Sequence, residues 1–278
     1  MNTISIITFN ILAHVFSSPA WYPEGININL LDREMRLAST SKFIKGMMLV
    51  TSIFCLQEVN KTEYNKLVEI LGSDFYSHIV YHDKTYWSEW IIGPREYEPH
   101  GNALFIKKSE FKNVEFNGLS LLTGNYSATC SCVHIQSRKK IRLINVHFNT
   151  SLVDQNDCND AGRYTEINAL LNQIPDPDER TVDLIVGDMN CNPSDTFWKQ
   201  GFSNALISIG QIGHTYPSTP SSADFNMIDH IMCRNATPFY GHIFDFGIMN
   251  ETDETVRIEE CLKICGSDHF PVKAMINL

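Results

Sequence analysis

Short runs that favour extended backbone recur along the whole chain, with patterns at helical spacing between them. The runs are Thr3–Asn10, Ser52–Gln57, Tyr76–Tyr81, Asn102–Ile106, Thr129–Ile135, Ile141–Phe148, Val182–Val186, Met227–Cys233 and Val272–Leu278, many of them rich in Ile, Val, Phe and Tyr. Helical spacing is clearest over Leu31–Val50, where Met35, Leu37, Phe43, Ile44 and Met47 recur, and continues in Lys61–Leu71 and Asp160–Gln173. A further short helix is expected after Pro193, with Asn192 as its cap. Strands interleaved with helices, some joined by hairpin-like turns, predict a mixed-sheet α/β architecture. No linker, repeat or low-complexity tract divides the 278 residues, so residues 1–278 read as a single domain.

Two connections are long for simple turns. One, His14–Leu30, carries Trp21 and Tyr22; the other, His82–His100, carries Tyr86, Trp87, Trp90, Arg95 and Tyr97. These aromatics fit two roles equally, packing the loops onto the body or stacking on bases.

The net charge is −10, which does not suggest a basic face for long duplexes and fits a small or single-stranded substrate. The run Arg138-Lys139-Lys140 with Arg142 reads as a charged hairpin turn, with a landing site for a polyanion as its rival. No segment is long and apolar enough to span a bilayer, and the first residues do not read as a signal peptide. The 8 cysteines include no CxxC pair, and several lie in apolar runs. They are expected to be reduced, buried thiols in a reducing compartment, the cytoplasm with the nucleus as alternative.

Polar residues gather where apolar runs end. The segments are Thr8-Phe9-Asn10, Leu56-Gln57-Glu58-Val59, Asn145-Val146-His147-Phe148, Gly187-Asp188-Met189-Asn190, Ile228-Asp229-His230-Ile231 and Gly266-Ser267-Asp268-His269-Phe270-Pro271. Taken singly each has an ordinary explanation: a cap for Glu58, an Asx-turn for Asp188 and Asn190, a structural histidine at His147. Together they place Asn, Glu, His, Asp-x-Asn, Asp and Asp-His at strand ends, where the sheet holds a side chain rigid while it faces the loops.

In these segments the chain resembles the endonuclease/exonuclease/phosphatase superfamily, which includes deoxyribonuclease I, apurinic/apyrimidinic endonucleases, neutral sphingomyelinases, inositol polyphosphate 5-phosphatases and deadenylases. The resemblance runs from Thr3 to Leu278, and Gly187–Asn190 and Gly266–Pro271 carry it most specifically. Thr8–Ala13, Ile53–Val59 and Gly101–Phe105 are most similar to the deadenylase and nocturnin-like branch. The chain departs from that branch in its shortness, in lacking a leucine-rich-repeat extension, and in Asn149-Thr150 after His147-Phe148.

The resemblance implies a four-layer α/β/β/α sandwich of two mixed sheets flanked by helices. It implies a Mg2+-dependent phosphodiesterase, with Mn2+ as alternative ion, acting on a single-stranded nucleic acid or a nucleotide. The finer expectation is a 3′-to-5′ exoribonuclease. The alternatives are a nucleotide or small-molecule phosphatase, a sphingomyelinase-type lipid phosphodiesterase and an inactive binding module. Glu58 and Asn10 would hold the ion, with Asp268 as a further carboxylate or the support of a second ion. Asp188 would be the general base, Asn190 would orient the water or a non-bridging oxygen, and His269 would donate to the phosphate. Asp229 would fix His269, and His147 would serve the phosphate or leaving-group side. Trp87, Trp90 and Arg95 are expected to bind substrate. Arg163 reads either as a phosphate contact or as part of a solvated helix face.

Overall fold

The computed structural model describes residues 2–83, 98–149, 161–176, 178–191, 197, 200–217 and 227–278. Trp87, Trp90, Arg95 and the expected helix after Pro193 lie outside these residues.

The strands are β1 (Thr3–Asn10), β2 (Ile53–Asn60), β3 (Phe75–Tyr81), β4 (His100–Lys107), β5 (Phe111–Ser120), β6 (Tyr126–His134), β7 (Lys140–His147), β8 (Thr181–Asp188), β9 (Ser203–Asn204), β10 (Asp229–Arg234), β11 (Thr237–Ile243) and β12 (Val272–Asn277). They form two six-stranded mixed sheets, ordered β11-β12-β1-β2-β4-β3 and β5-β6-β7-β8-β10-β9. Between them lies one apolar layer, with Ile4, Ile6, Ile53, Cys55 and Leu104 of the first sheet facing Cys130, Leu143, Val182 and Leu184 of the second.

The helices α1 (Arg33–Met47), α2 (Lys61–Leu71), α3 (Ala161–Leu171) and α4 (Glu254–Cys265) cover the outer faces. Ile44 of α1, Leu67 and Leu71 of α2, and Cys261 and Cys265 of α4 pack on Ile7, Phe9, Phe54 and Leu56. Ile167 and Leu170 of α3 pack on Ile144, Val146 and Ile185. The order helix, sheet, sheet, helix is the expected four-layer sandwich. α1 begins where Asp32 accepts from the N–H groups of Glu34 and Met35, and α4 where Asp253 does the same for Thr255 and Val256. α4 ends at Gly266, whose φ of +74° relieves the last turn; a Cβ there would lie 2.1 Å from the Arg36 carbonyl. No helix among the described residues is long and apolar enough to cross a membrane.

Polar groups tie the sheets together near one end. Asn145 on β7 donates to the Leu56 and Ala103 carbonyls, 2.9 Å each, and accepts from Gln57 Nε2 at 2.6 Å. At the other end Asp183 accepts from Arg142 at 2.7 Å and from Arg234 at 2.6 Å. Arg142 is thereby committed to an ion pair rather than free to meet a polyanion.

One expectation is corrected. Cys55, Cys130, Cys132, Cys233, Cys261 and Cys265 are free and buried, but Cys191 is disulfide-bonded. Its neighbour Asn190 ends the turn after β8, where the sequence offers no apolar run to mark a packed thiol. The inference of a reducing compartment rested on eight thiols and loses that support.

Candidate active site

Register decides which strand ends meet. In the second sheet β7 runs parallel to β8 with His147 beside Asp188, and β10 runs antiparallel to β8 with Asp229 on its other side. His147, Asp188 and Asp229 therefore form a row across three strands. Gly187 permits it: with φ at +145°, a Cβ here would lie 2.0 Å from the Val146 carbonyl. In the first sheet Asn10 ends β1 opposite Gln57. Pairing of β2 with β4 slips between Leu56 and Val59, and Glu58 sits in that irregularity at φ +56°. A non-glycine residue in this region is strained, and the slip turns its carboxylate toward the second sheet.

Asn10 joins the two halves. Its Nδ2 donates to Glu58 Oε1 at 2.8 Å and to Asp188 Oδ2 at 3.0 Å, while its Oδ1 accepts from Leu12 N–H at 3.0 Å. It thus turns its nitrogen to both carboxylates and spaces them, with its oxygen on the Leu12 N–H. Glu58 Oε2 accepts from Ala13 N–H at 2.8 Å. Burial pushes the Glu58 carboxyl up, and His147 and Asn10 oppose that.

His269 stands across from this pair. Its Nδ1 lies 2.9 Å from Asp229 Oδ2 and its Nε2 3.7 Å from Asp188 Oδ2. Burial alone would lower its pKa, but Asp229 and Asp188 lift it to about 10. His147 Nε2 is 3.8 Å from both Glu58 and Asp188. Asn190, at φ +51°, donates its backbone N–H to Asp188 Oδ1 at 2.9 Å and its side-chain amide to the Phe148 carbonyl at 2.7 Å. Asp268 Oδ2 accepts from the Tyr22 hydroxyl at 3.1 Å. The Tyr216 ring lies 5.0 Å from the His269 ring.

Asp188, Asp229 and His269 bring ligand-type atoms within 4.8 Å of one another. In that trio Asp229 already holds the Nδ1 side of His269 at 2.9 Å. The donor set at Glu58 suits a hard cation better: Glu58, Asp188, Asp229 and Asp268 are each less than a tenth exposed. Buried carboxylates need positive partners. His269 and the buried Arg36, whose NH1 donates to the Leu12 carbonyl at 2.7 Å, supply only part of that charge. The residues present therefore fit an oxygen-ligated divalent ion.

Arg163 does not lie on a solvated face. It is fully buried and donates to the Asn190 carbonyl, so it braces the Asp188–Asn190 turn from below. Arg36, Glu166 and Thr215 were not anticipated from the sequence. Arg36 left a signal, since a charged residue occupies one of the core-facing positions Arg36, Leu37, Thr40 and Ile44 of α1. Thr215, which accepts from Ile228 and Asp229 N–H groups, left none.

No family model matches the sequence, and no curated protein does. Solved structures match over nearly their full lengths. The endonuclease/exonuclease/phosphatase from Bacteroides vulgatus superposes with a TM-score of 0.69 at 17% identity, covering 100% of both chains. The chain has the endonuclease/exonuclease/phosphatase fold. Danio rerio TDP2 complexed with a single-strand DNA product shares this fold at TM-score 0.64 and 12% identity, covering 100% of both chains. So does the human Nocturnin catalytic domain with bound sulfate, at 0.67 and 15%, covering 99% of this chain and 93% of that one. In this fold the end of the sandwich where both sheets offer polar strand ends is where the described side chains converge.

Proposed function

We propose that this chain is a divalent-cation-dependent phosphodiesterase acting on a single-stranded nucleic acid or a nucleotide, with 3′-to-5′ ribonuclease action as the finer reading. The observation that carries it is the approach of His269 Nε2 to Asp188 Oδ2 at 3.7 Å, with Asp229 behind the His269 ring and Glu58 held beside Asp188 by Asn10. A candidate base and a candidate acid are thus held side by side.

Glu58, with Asp268 as a further carboxylate, would hold Mg2+ or Mn2+, which supplies charge to offset that of the phosphate. Asp188 Oδ2 accepts a proton from the attacking water, its other oxygen being held by Asn190 N–H. His269 donates from Nε2 to a non-bridging phosphate oxygen and stabilises the charge that builds there. Asp229 keeps its ring oriented and protonated. His147, whose Nε2 is 3.8 Å from both Glu58 and Asp188, would serve the phosphate or the leaving oxygen.

The net charge of −10 also favours a second reading, a phosphatase of nucleotides or other small molecules. Incubation with Mg2+ and oligo(A), mixed RNA, DNA, NADP or sphingomyelin, followed by mass analysis of products, separates the readings. Shortening of RNA from its 3′ end is the expected result; release of phosphate from NADP alone would favour the second. Undiminished turnover after exhaustive chelation would remove the cation from the mechanism. Glu58→Gln, Asp188→Asn and His269→Ala should each lower kcat by roughly two to four orders of magnitude with folding retained.

A further inference from the structure

We infer that Leu122 is a substrate contact, an apolar wedge meeting the base or sugar next to the scissile phosphate on the His147 side. The inference rests on the phosphodiesterase reading above. Leu122 is 75% exposed and sits at φ +70°. A leucine pays twice there: its Cβ is crowded in left-handed backbone, and its side chain gains nothing from burial. Glycine or asparagine would fit the turn better.

The turn has no freedom that would make the leucine incidental. Leu121 N–H donates to the Asn125 carbonyl at 3.0 Å, and Asp83 N–H to the Gly124 carbonyl at 2.9 Å. Leu121 is fully buried, Thr123 and Asn125 nearly so, which leaves Leu122 projecting from a closed turn. Below lies Glu166 of α3, itself fully buried. Its carboxylate accepts from Thr123 Oγ1, from Asn125 Nδ2 at 2.9 Å and from Asn149 N–H at 2.7 Å. One buried acid thus fixes the turn to the segment that directly follows His147.

Position gives the contact its meaning. Ala128 pairs with Asn145, so β6 continues back past the level of His147 into this turn, on the side where the catalytic side chains open. Phe246 is also apolar, exposed and left-handed, but it packs against Phe244 and Phe43 at 6.1 and 6.5 Å. Among the described residues Leu122 is 75% exposed, more than Phe246 at 46%. Backbone strain held by surrounding structure points to a functional contact.

The test uses Leu122→Gly. Binding of a fluorescent single-stranded oligonucleotide is measured by anisotropy in Mg2+, on Asp188→Asn chains with and without the second change. The expected result is about 5- to 30-fold weaker binding, equivalent to about 1–2 kcal/mol at tenfold per 1.4 kcal/mol. In the otherwise native chain, the ratio of kcat/KM for the oligonucleotide to that for bis(p-nitrophenyl) phosphate should fall by a similar factor. Tm should not fall, because glycine accepts the turn's backbone. Equal affinity with and without Leu122 overturns the inference and leaves the reading of the site standing. A parallel loss on both substrates with a lowered Tm assigns Leu122 to folding and overturns it as well. No oligonucleotide binding by either chain removes the substrate class, and the inference with it.

Discussion

Asn10 Nδ2 donates to Asp188 Oδ2 across 3.0 Å, and this bond joins the first strand of one sheet to the catalytic strand of the other. The same nitrogen holds Glu58 at 2.8 Å, so one amide keeps two carboxylates at a fixed separation. Asn10→Ala should lower kcat about 10- to 100-fold, the usual cost of losing a group that orients a site's ligands. Asn10→Asp should be worse, because a third carboxylate replaces the donor between two others. Steady-state kinetics beside circular dichroism checks both; native-level activity in both variants would show that the amide's hydrogen bonds carry no weight.

Asn145 makes a prediction about stability. Its side chain is fully buried and bonds to both sheets through Leu56, Ala103 and Gln57. Asn145→Ala strands these groups without partners or water, at about 1–3 kcal/mol. At about 2–4 °C per kcal/mol for a chain of somewhat smaller size, Tm should fall by several degrees. Scanning calorimetry reads it directly.

His100 gives a pH dependence. Burial, with His147 nearby, pushes its pKa from 6.5 to about 3. Between those values the unfolded chain binds a proton that the folded chain refuses. The stabilising contribution is complete above about pH 6.5 and is lost as pH falls toward 3. The slope is about 1.4 kcal/mol per pH unit. His100→Gln should flatten the stability profile by that amount between pH 4 and 6 in urea titrations. An unchanged slope would mean that the imidazole takes up its proton in the folded state.

Thiol chemistry tests the cysteines. In denaturant without reductant, Cys55, Cys130, Cys132, Cys233, Cys261 and Cys265 should react with a thiol reagent, and Cys191 should react only after reduction. Peptide mapping with differential labelling distinguishes the sites.

The sequence exposed the strands that are buried and the residues that end them. β1 and α2 match their expected bounds, and the polar ends Asn10, Glu58, His147, Asp188, Asp229 and His269 converge as a group. β5 was silent because it is an outer strand whose residues after Phe111 are mostly exposed, so no period-two apolar pattern marks it. β11 was hidden by Pro238, by Gly241 and by its edge position. α4 was obscured because Arg257 and two cysteines occupy part of its buried stripe. Arg163 and Glu166 could not be placed from sequence, since periodicity says which face of a helix is buried but not that the face is ionic.

Because the Asn10–Asp188 bond crosses from one sheet to the other, the site also measures how the two halves of the sandwich are seated. A relative slide of well under one residue's rise takes that bond outside hydrogen-bonding range, while every strand keeps its own neighbours. Turnover is therefore a gauge of inter-sheet alignment. Under mild denaturant or pressure it should vanish while the far-ultraviolet signal of both sheets is still intact.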